Sequence, residues 1–357
     1  MSNVKYTIVG RAPVRVDFFG GWTDLSLFTE LMPGCVLNAA ITLYTYATVR
    51  PSPPRELDVS LFGYNVREQI DSESVCPYSA DFDEYISVRS VADIEYNGTM
   101  DLVKAACKRF FSSHGGFEIV TRSEAPPGSG LGTSASLGVA VIGALAAYAM
   151  NDMLPSEVAD LAYRLEVEDL GLLSGTQDQY SAAYGGISFL KCMGEMVSRS
   201  AVEISGATRL ELEKRCVLVY TGTSRLSSKI HEHVRGAFER GENHSALRCL
   251  VEAAVNGRKA LREGNLEMFG ELMSVNWSCQ KQLHPTVTND TIDGIINLAL
   301  RSGAVGGKAC GAGGGGCLLF LAKSGEEHVL RKALVANGLD VLNFHIDETG
   351  LRVWRYP

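Results

Sequence analysis

The sequence contains no Cys-x-x-Cys pair; its nine cysteines, at 35, 76, 107, 192, 216, 249, 279, 310 and 317, are scattered along the chain. That spacing excludes a zinc ribbon and a dithiol redox site. Most of them sit in apolar runs, where a free thiol behaves as a small hydrophobe, so a reduced chain is expected. Histidine is scarce as well. Of seven, only His231 and His233 are close, and that spacing throws the rings apart on a helix. No metal held mainly by protein side chains is expected. Long apolar runs are missing: the most apolar stretch, Leu137 to Met150, has 14 residues, too few to cross a bilayer. Met1 to Gly10 lacks a basic region followed by an apolar stretch, so no signal peptide is read. The expectation is a cytoplasmic protein with no membrane partner. Positive charge is in deficit, with 33 basic against 41 acidic residues and a net charge of −8, which argues against nucleic acid as a partner. An anionic substrate must therefore meet a local cluster of positive groups. Proline is sparse at 11 residues, whereas glycine reaches 37 of 357, about 10% against a usual ~7%. Excess glycine without proline points to tight backbone loops around a ligand.

The remaining composition, 46% hydrophobic and 21% charged, is that of an ordinary globular chain. At 357 residues it exceeds what one core usually serves, so two domains are expected. Lys5 to Val9 reads as a short strand followed by a charged, Gly-rich loop. Ile41, Leu43, Thr45, Ala47 and Val49 share one parity, predicting a strand that ends at Pro51. Thr99 is placed as the cap of a helix stopped by Gly115, and Phe117 to Ser123 alternates as a strand. Leu137 to Met150 is apolar on nearly all sides, which predicts a helix buried in its domain. Ser156 opens another helix. The weakly patterned stretch Glu195 to Arg215 is read as the boundary, giving units 1–205 and 206–357. Beyond it, strands and helices are interspersed, an α+β arrangement.

Four segments carry the chemistry. The first is Ala125-Pro126-Pro127-Gly128-Ser129-Gly130-Leu131-Gly132-Thr133-Ser134-Ala135-Ser136, between a strand and the buried helix. A Gly-rich turn there exposes backbone N–H groups at a helix start, an anion site suited to phosphate. It is neither a P-loop, having no Gly-Lys-Ser/Thr, nor a dinucleotide fingerprint, since Thr133 stands at the third Gly position. A plain tight turn would not need three alternating glycines followed by hydroxyls. The second is Gly311-Ala312-Gly313-Gly314-Gly315-Gly316, preceded by Gly306-Gly307-Lys308 and running into an apolar strand. Close approach to a ligand, or to the first loop, explains it better than a flexible linker. The third runs from Arg11 through Arg15, Asp17, Gly20, Gly21 and Trp22 to Asp24; surface ion pairs would account for each charge alone but poorly for the string. The fourth is Gly175-Thr176-Gln177-Asp178-Gln179-Tyr180, with Asp178 near a helix start, where an ordinary N-terminal acid is an equally good account.

In this order and spacing the segments resemble the GHMP kinase superfamily, over nearly the whole chain. The resemblance implies a two-domain α+β fold, with an N-terminal domain of the ribosomal protein S5 domain 2 type and a ferredoxin-like C-terminal domain. It implies ATP wrapped by Pro127, Gly128, Ser129, Gly130, Leu131, Gly132, Thr133, Ser134 and Ser136. Mg²⁺ would be held by Ser134 and Glu166, which lies at the inner border of its helix stripe, whereas Glu168 lies on the opposite border. Asp178 matches the family's catalytic Asp and Arg15 the Arg facing the reacting centre. Whether Asp178 acts as base or as orienter stays open, because phosphoryl transfer is served by positioning and charge neutralisation.

Galactokinases carry Gly-Glu-His-Thr-Asp where this chain has Gly20-Gly21-Trp22-Thr23-Asp24, which argues against galactose. That string, the segment at Gly175 and Thr221-Gly222-Thr223-Ser224-Arg225 together resemble the D-glycero-D-manno-heptose 7-phosphate kinase branch, which phosphorylates the anomeric hydroxyl on the way to nucleotide-activated heptose for capsule or surface polysaccharide. The substrate side would then comprise Arg11, Asp17, Gly20, Gly21, Asp24, Gly175, Gln177, Arg225, Ser228, Lys308, Gly313 and Gly314, with Lys281 and His284 nearby. Arg225 and the hydroxyls before the next helix suit a phosphate monoester. Two alternatives are kept: a kinase for a free, fucose- or galactose-like sugar, and a non-catalytic sugar- and nucleotide-binding regulator. The sequence leaves a homodimer open.

Overall fold

The computed structural model describes residues 6–51, 55–61, 64–70, 74–111, 116–223 and 227–357. Its first half runs β1 (Thr7–Phe19), α1 (Ser26–Thr29), β2 (Gly34–Pro51), β3 (Arg55–Leu61), β4 (Tyr64–Ile70), β5 (Val75–Ser79) and β6 (Glu84–Tyr85). There follow α2 (Asp101–Phe110), β7 (Phe117–Ser123), α3 (Thr133–Tyr148), α4 (Pro155–Arg164), a π turn at Leu165–Asp169, α5 (Gln177–Tyr184), β8 (Ile187–Met193) and β9 (Met196–Ala201). The second half holds α6 (Gly206–Arg215), β10 (Cys216–Tyr220), α7 (Ser227–Glu239), α8 (His244–Arg262), α9 (Leu266–Lys281) and α10 (Asp290–Arg301). It closes with β11 (Ala304–Ala309), β12 (Cys317–Ala322), α11 (Glu327–Ala336), β13 (Asp340–Leu342) and β14 (Arg352–Tyr356).

The larger sheet has the order β14-β1-β2-β7-β5-β6, with β8 and then β9 added through the other end of β2. The smaller one is β11-β12-β10-β13, which in chain order is the 4-1-3-2 arrangement of a ferredoxin-like domain. α3 is apolar around its circumference and eleven of its residues are buried, among them Val139, Val141, Ile142 and Leu145 in the first core. A second core, with Phe18, Phe19, Phe269 and Leu319, spans the two halves, and the Phe19 and Phe269 rings meet edge-on at 4.9 Å.

Three expectations are corrected here. The charged segment after Val9 is not a loop: β1 continues to Phe19, because buried Arg15 and Asp17 find counter-charges in Asp178 and fully buried Lys308. The boundary at 205/206 does not hold for the C-terminus, since β14 pairs antiparallel with β1, from Thr7↔Tyr356 to Arg11↔Arg352, and so belongs to the first sheet. Nor are all nine thiols free. Neighbouring α8 and α9 bring Cys249 and Cys279 to a Cα separation of 6.1 Å, and their sulfurs are bonded. The other seven cysteines are free and buried. No described helix is long and apolar enough to cross a membrane.

Candidate active site

A cavity of about 490 Å³ opens between the halves, a size for a small ligand. One wall is the turn from β7 into α3. Gly128, Gly130 and Gly132 take φ of +66°, +73° and +73°, the left-handed region in which only glycine is unstrained. Space demands glycine as well. A Cβ on Gly130 would stand 2.7 Å from the Cys310 carbonyl oxygen, and one on Gly132 would stand 2.9 Å from Asp178 Oδ2. α3 starts at Thr133, four residues before the expected Leu137, so Thr133 and exposed Ser134 lie in its first turn. The unbonded N–H groups of that turn and the helix dipole favour an anion in the cavity they line. The second glycine segment lies against the first: Cys317 N–H donates to the Ser129 carbonyl at 2.7 Å.

Facing this loop, Arg15 Nε and Nη2 donate to Asp178 Oδ1 and Oδ2 at 2.6 and 2.8 Å, a two-pronged pair, while Nη1 donates to the Gly130 carbonyl at 2.6 Å. Burial alone would depress the Arg15 guanidinium, but Asp178 and then Asp17 more than offset it and hold it above its ordinary value. Further along the cavity, Asp24 Oδ2 accepts from Gln177 N–H at 3.0 Å and Oδ1 from Gln177 Nε2 at 3.2 Å. Burial pushes Asp24 up to about 6, against the lowering by the Gln177 N–H. Gly175 has no Cβ because one would overlap the Asp24 carboxylate.

Glu166, in the π turn after α4, is 5% exposed yet lines the cavity. Its Oε2 accepts from Ser174 Oγ at 2.5 Å and Gln179 Nε2 at 2.8 Å. Burial first, and then Asp178, push it up to about 7, although hydrogen bonds from Ser174, Gln179 and Ser134 oppose the shift. A buried carboxylate with neutral partners beside a hydroxyl is a hard-oxygen set that fits Mg²⁺ completed by phosphate oxygens. No cluster of three or more His, Cys, Asp or Glu suited to a metal occurs among the described residues. Glu168 instead pairs with Arg109 at the surface, 3.0 Å away.

Arg15, Asp17, Gly21, Asp24, Gly128, Ser129, Gly130, Gly132, Thr133, Ser134, Glu166, Gly175, Gln177, Asp178 and Gly313 thus line one cavity. Several expected residues do not. Arg11 stacks over the rings of Tyr44 and Trp354 at 4.1 and 5.2 Å, beside β14. Gly20 is buried, its N–H donating to Asn276 Oδ1 at 2.9 Å, and Gly314 is buried with its N–H on the Val287 carbonyl at 2.8 Å. Lys308 is fully buried on Asp17, so it positions that carboxylate rather than meeting a ligand. Of the expected ATP loop, Pro127 is exposed outside the cavity. Leu131 is buried, its carbonyl accepting from Arg15 N–H at 2.9 Å, and Ser136 Oγ donates inward to the Ala12 carbonyl at 3.0 Å. Lys281 pairs with Asp293, and His284 stacks on His233, both away from the cavity. Arg225 and the side chain of Ser228 lie outside the described residues.

Trp22, quoted in the third segment without a role of its own, lines the cavity; sequence reasoning gave no site role to Leu173, Ser174, His231, Glu232 and Arg235, which line it too. The last three share one face of α7 at helical spacing. Nothing local distinguishes that face from a solvated one until α7 is docked.

The geometry accords with relatives. The model of the GHMP kinases N terminal domain matches residues 101–186, and that of the GHMP kinases C terminal matches residues 258–338. The D-glycero-alpha-D-manno-heptose 7-phosphate kinase of Campylobacter jejuni is 32% identical over 350 residues, covering 98% of this chain and 99% of its own. The chain belongs to the GHMP kinases. This kinase is also 31% identical over 326 residues to the bifunctional fucokinase/GDP-fucose pyrophosphorylase of Arabidopsis thaliana, covering 88% of this chain but 30% of that longer one. Among solved structures, a D-glycero-D-manno-heptose 1-phosphate kinase from Bacteroides thetaiotaomicron superposes with a TM-score of 0.77 at 25% identity, covering 98% of this chain and 99% of its own. ATP is the phosphoryl donor of the family.

Proposed function

We propose that this GHMP kinase transfers a phosphoryl group from ATP to the anomeric hydroxyl of D-glycero-D-manno-heptose 7-phosphate, giving the 1,7-bisphosphate for nucleotide-activated heptose and surface polysaccharide. The observation that carries the reading is Asp178, fixed by the Arg15 fork between the glycine turn and Asp24 in one cavity. Likeness to the Campylobacter kinase over nearly the full length of both chains supports the heptose phosphate.

Asp178 accepts the hydrogen bond of the sugar hydroxyl and aims its oxygen at the phosphoryl group. Arg15 holds that carboxylate in place and ties it to the glycine turn through the Gly130 carbonyl, so acceptor and phosphate loop share one rigid frame. N–H groups of the α3 start bind phosphate oxygens where the loop has no lysine. Ser134 and Glu166 would hold Mg²⁺, which when bound supplies the charge that neutralises the transferring phosphates. Asp24, kept in register by Gln177, binds sugar hydroxyls. Likeness to the fucokinase favours a second reading, a free sugar as acceptor. An ADP-release assay across phosphorylated and free heptoses, fucose and galactose separates the two: the first reading fails if free sugars match or exceed heptose 7-phosphate in kcat/KM.

A further inference from the structure

We infer that Arg235, on the cavity side of α7, grips the second phosphate of the substrate; this rests on the sugar-phosphate reading and assigns the residue that reading requires. Among the described residues two guanidinium groups line the cavity, those of Arg15 and Arg235, and no lysine does. Arg15 is already spent on Asp178 and Gly130. Arg235 is half exposed, and its contact with Glu239 Oε1, at 3.7 Å, is too long for a hydrogen bond. Its fork is therefore available to a ligand.

Its place in the cavity is the right one. His231, one helical turn earlier, packs edge-on against the Trp22 ring at 4.8 Å, and its Nδ1 lies 3.0 Å from the Leu173 carbonyl oxygen. Trp22 and Leu173 flank Asp24 and Gly175, so this turn of α7 belongs to the sugar end rather than to the glycine turn. Trp22 has a φ of +83°, a strained conformation for a bulky residue, which tertiary packing imposes at this wall of the cavity. A substrate with its reacting hydroxyl at Asp178 directs its other phosphate away from the ATP phosphates, into a cavity rich in acids: Asp24, Glu166, Asp178 and Glu232. Glu232 suits a sugar hydroxyl, and among the described residues lining the cavity the Arg235 guanidinium is the positive group not already engaged, which makes it the phosphate position. A planar fork matches a phosphate monoester better than a point charge does. Of the loop expected to do this from sequence, the described residues 221–223 hold to the second glycine segment. Thr221 Oγ1 donates to the Gly316 carbonyl at 2.9 Å and Gly316 N–H to the Thr223 carbonyl at 2.9 Å, beside Ser129 in the glycine turn.

The test is a preference ratio: kcat/KM for D-glycero-D-manno-heptose 7-phosphate divided by kcat/KM for D-glycero-D-manno-heptose. The ratio divides out the folded fraction, so a poorly folded variant cannot imitate the effect. Wild type should show a ratio well above one. Arg235→Ala should lower it about 10-fold, chiefly through KM for the phosphorylated sugar, and Arg235→Lys should recover part of the loss. A large wild-type ratio preserved in Arg235→Ala overturns the assignment and leaves the sugar-phosphate reading standing; a fall confined to Arg225→Ala overturns it in favour of that loop. A wild-type ratio near one overturns both.

Discussion

Replacing Lys308 by methionine should sharply lower the denaturant midpoint, because it strands a carboxylate in the interior. Lys308 Nζ donates to Asp17 Oδ2 at 2.6 Å and to the Asp17 carbonyl at 2.9 Å, and both side chains are 0% exposed. Methionine roughly keeps the volume but leaves Asp17 with the Gly311 N–H at 3.2 Å as its remaining hydrogen bond. Removing one partner of a buried ion pair costs about 3–5 kcal/mol, against a usual total stability of ~5–15 kcal/mol. Asp17→Leu should cost a similar amount by stranding the ammonium. Replacing both charges by apolar groups is often near neutral, so the Asp17→Leu/Lys308→Met variant should recover most of the loss, with a coupling of about 3 kcal/mol in a guanidinium unfolding cycle. Activity should not recover with it. Asp17 lies two residues from Arg15 on β1 and reaches Gly311, which abuts Gly130, so the pair also sets the distance between the catalytic frame and the glycine turn. A Lys308→Met cost below ~1 kcal/mol, or additive single losses in the double variant, would refute the reasoning.

Asp178→Asn should lower kcat by ~10²–10⁴-fold with ATP binding retained; a variant keeping about a tenth of wild-type kcat removes Asp178 from the chemistry. Gly132→Ala places a Cβ 2.9 Å from Asp178 Oδ2 at a φ of +73°, so kcat should fall by on the order of 10²-fold while circular dichroism stays native. Glu166→Gln should raise the Mg²⁺ concentration needed for half-maximal rate, and an unchanged titration places the ion elsewhere. Asp24, raised from 3.8 to about 6, should protonate as pH falls through about 6, and kcat/KM should fall with it. Heptose 7-phosphate has its own pKa near ~6, so the test is whether Asp24→Asn loses this limb of the profile. The stability sign is opposite: the folded chain keeps this proton to higher pH than the unfolded chain, so the contribution is complete below the ordinary 3.8 and gone above about 6. In urea melts Asp24→Asn should therefore gain on wild type between pH 4 and 7.

The sequence by itself determined what local chemistry can dictate. Glycines alternating before hydroxyls prescribe a turn with free N–H groups at a helix start, and the all-apolar run after them prescribes a helix with no solvent face, hence α3 and its loop. Acidic balance without a lysine in the loop prescribes that anions are met by backbone N–H groups, by metal or by a local cluster of positive groups. Pairings across distance were beyond it. Arg15 and Asp178 are 163 residues apart and Lys308 and Asp17 are 291 apart, and without those partners the charged string after Val9 looks like a loop rather than the buried strand it is. The same holds for β14, which joins β1 from the far end of the chain, and for Cys249 and Cys279, which meet because α8 and α9 pack side by side. On α7, His231, Glu232 and Arg235 present a polar face like that of any surface helix. Docking against Trp22 and Leu173 makes it a wall of the cavity, because a side chain's role there depends on which groups the fold sets opposite it, and those lie on other segments of the chain.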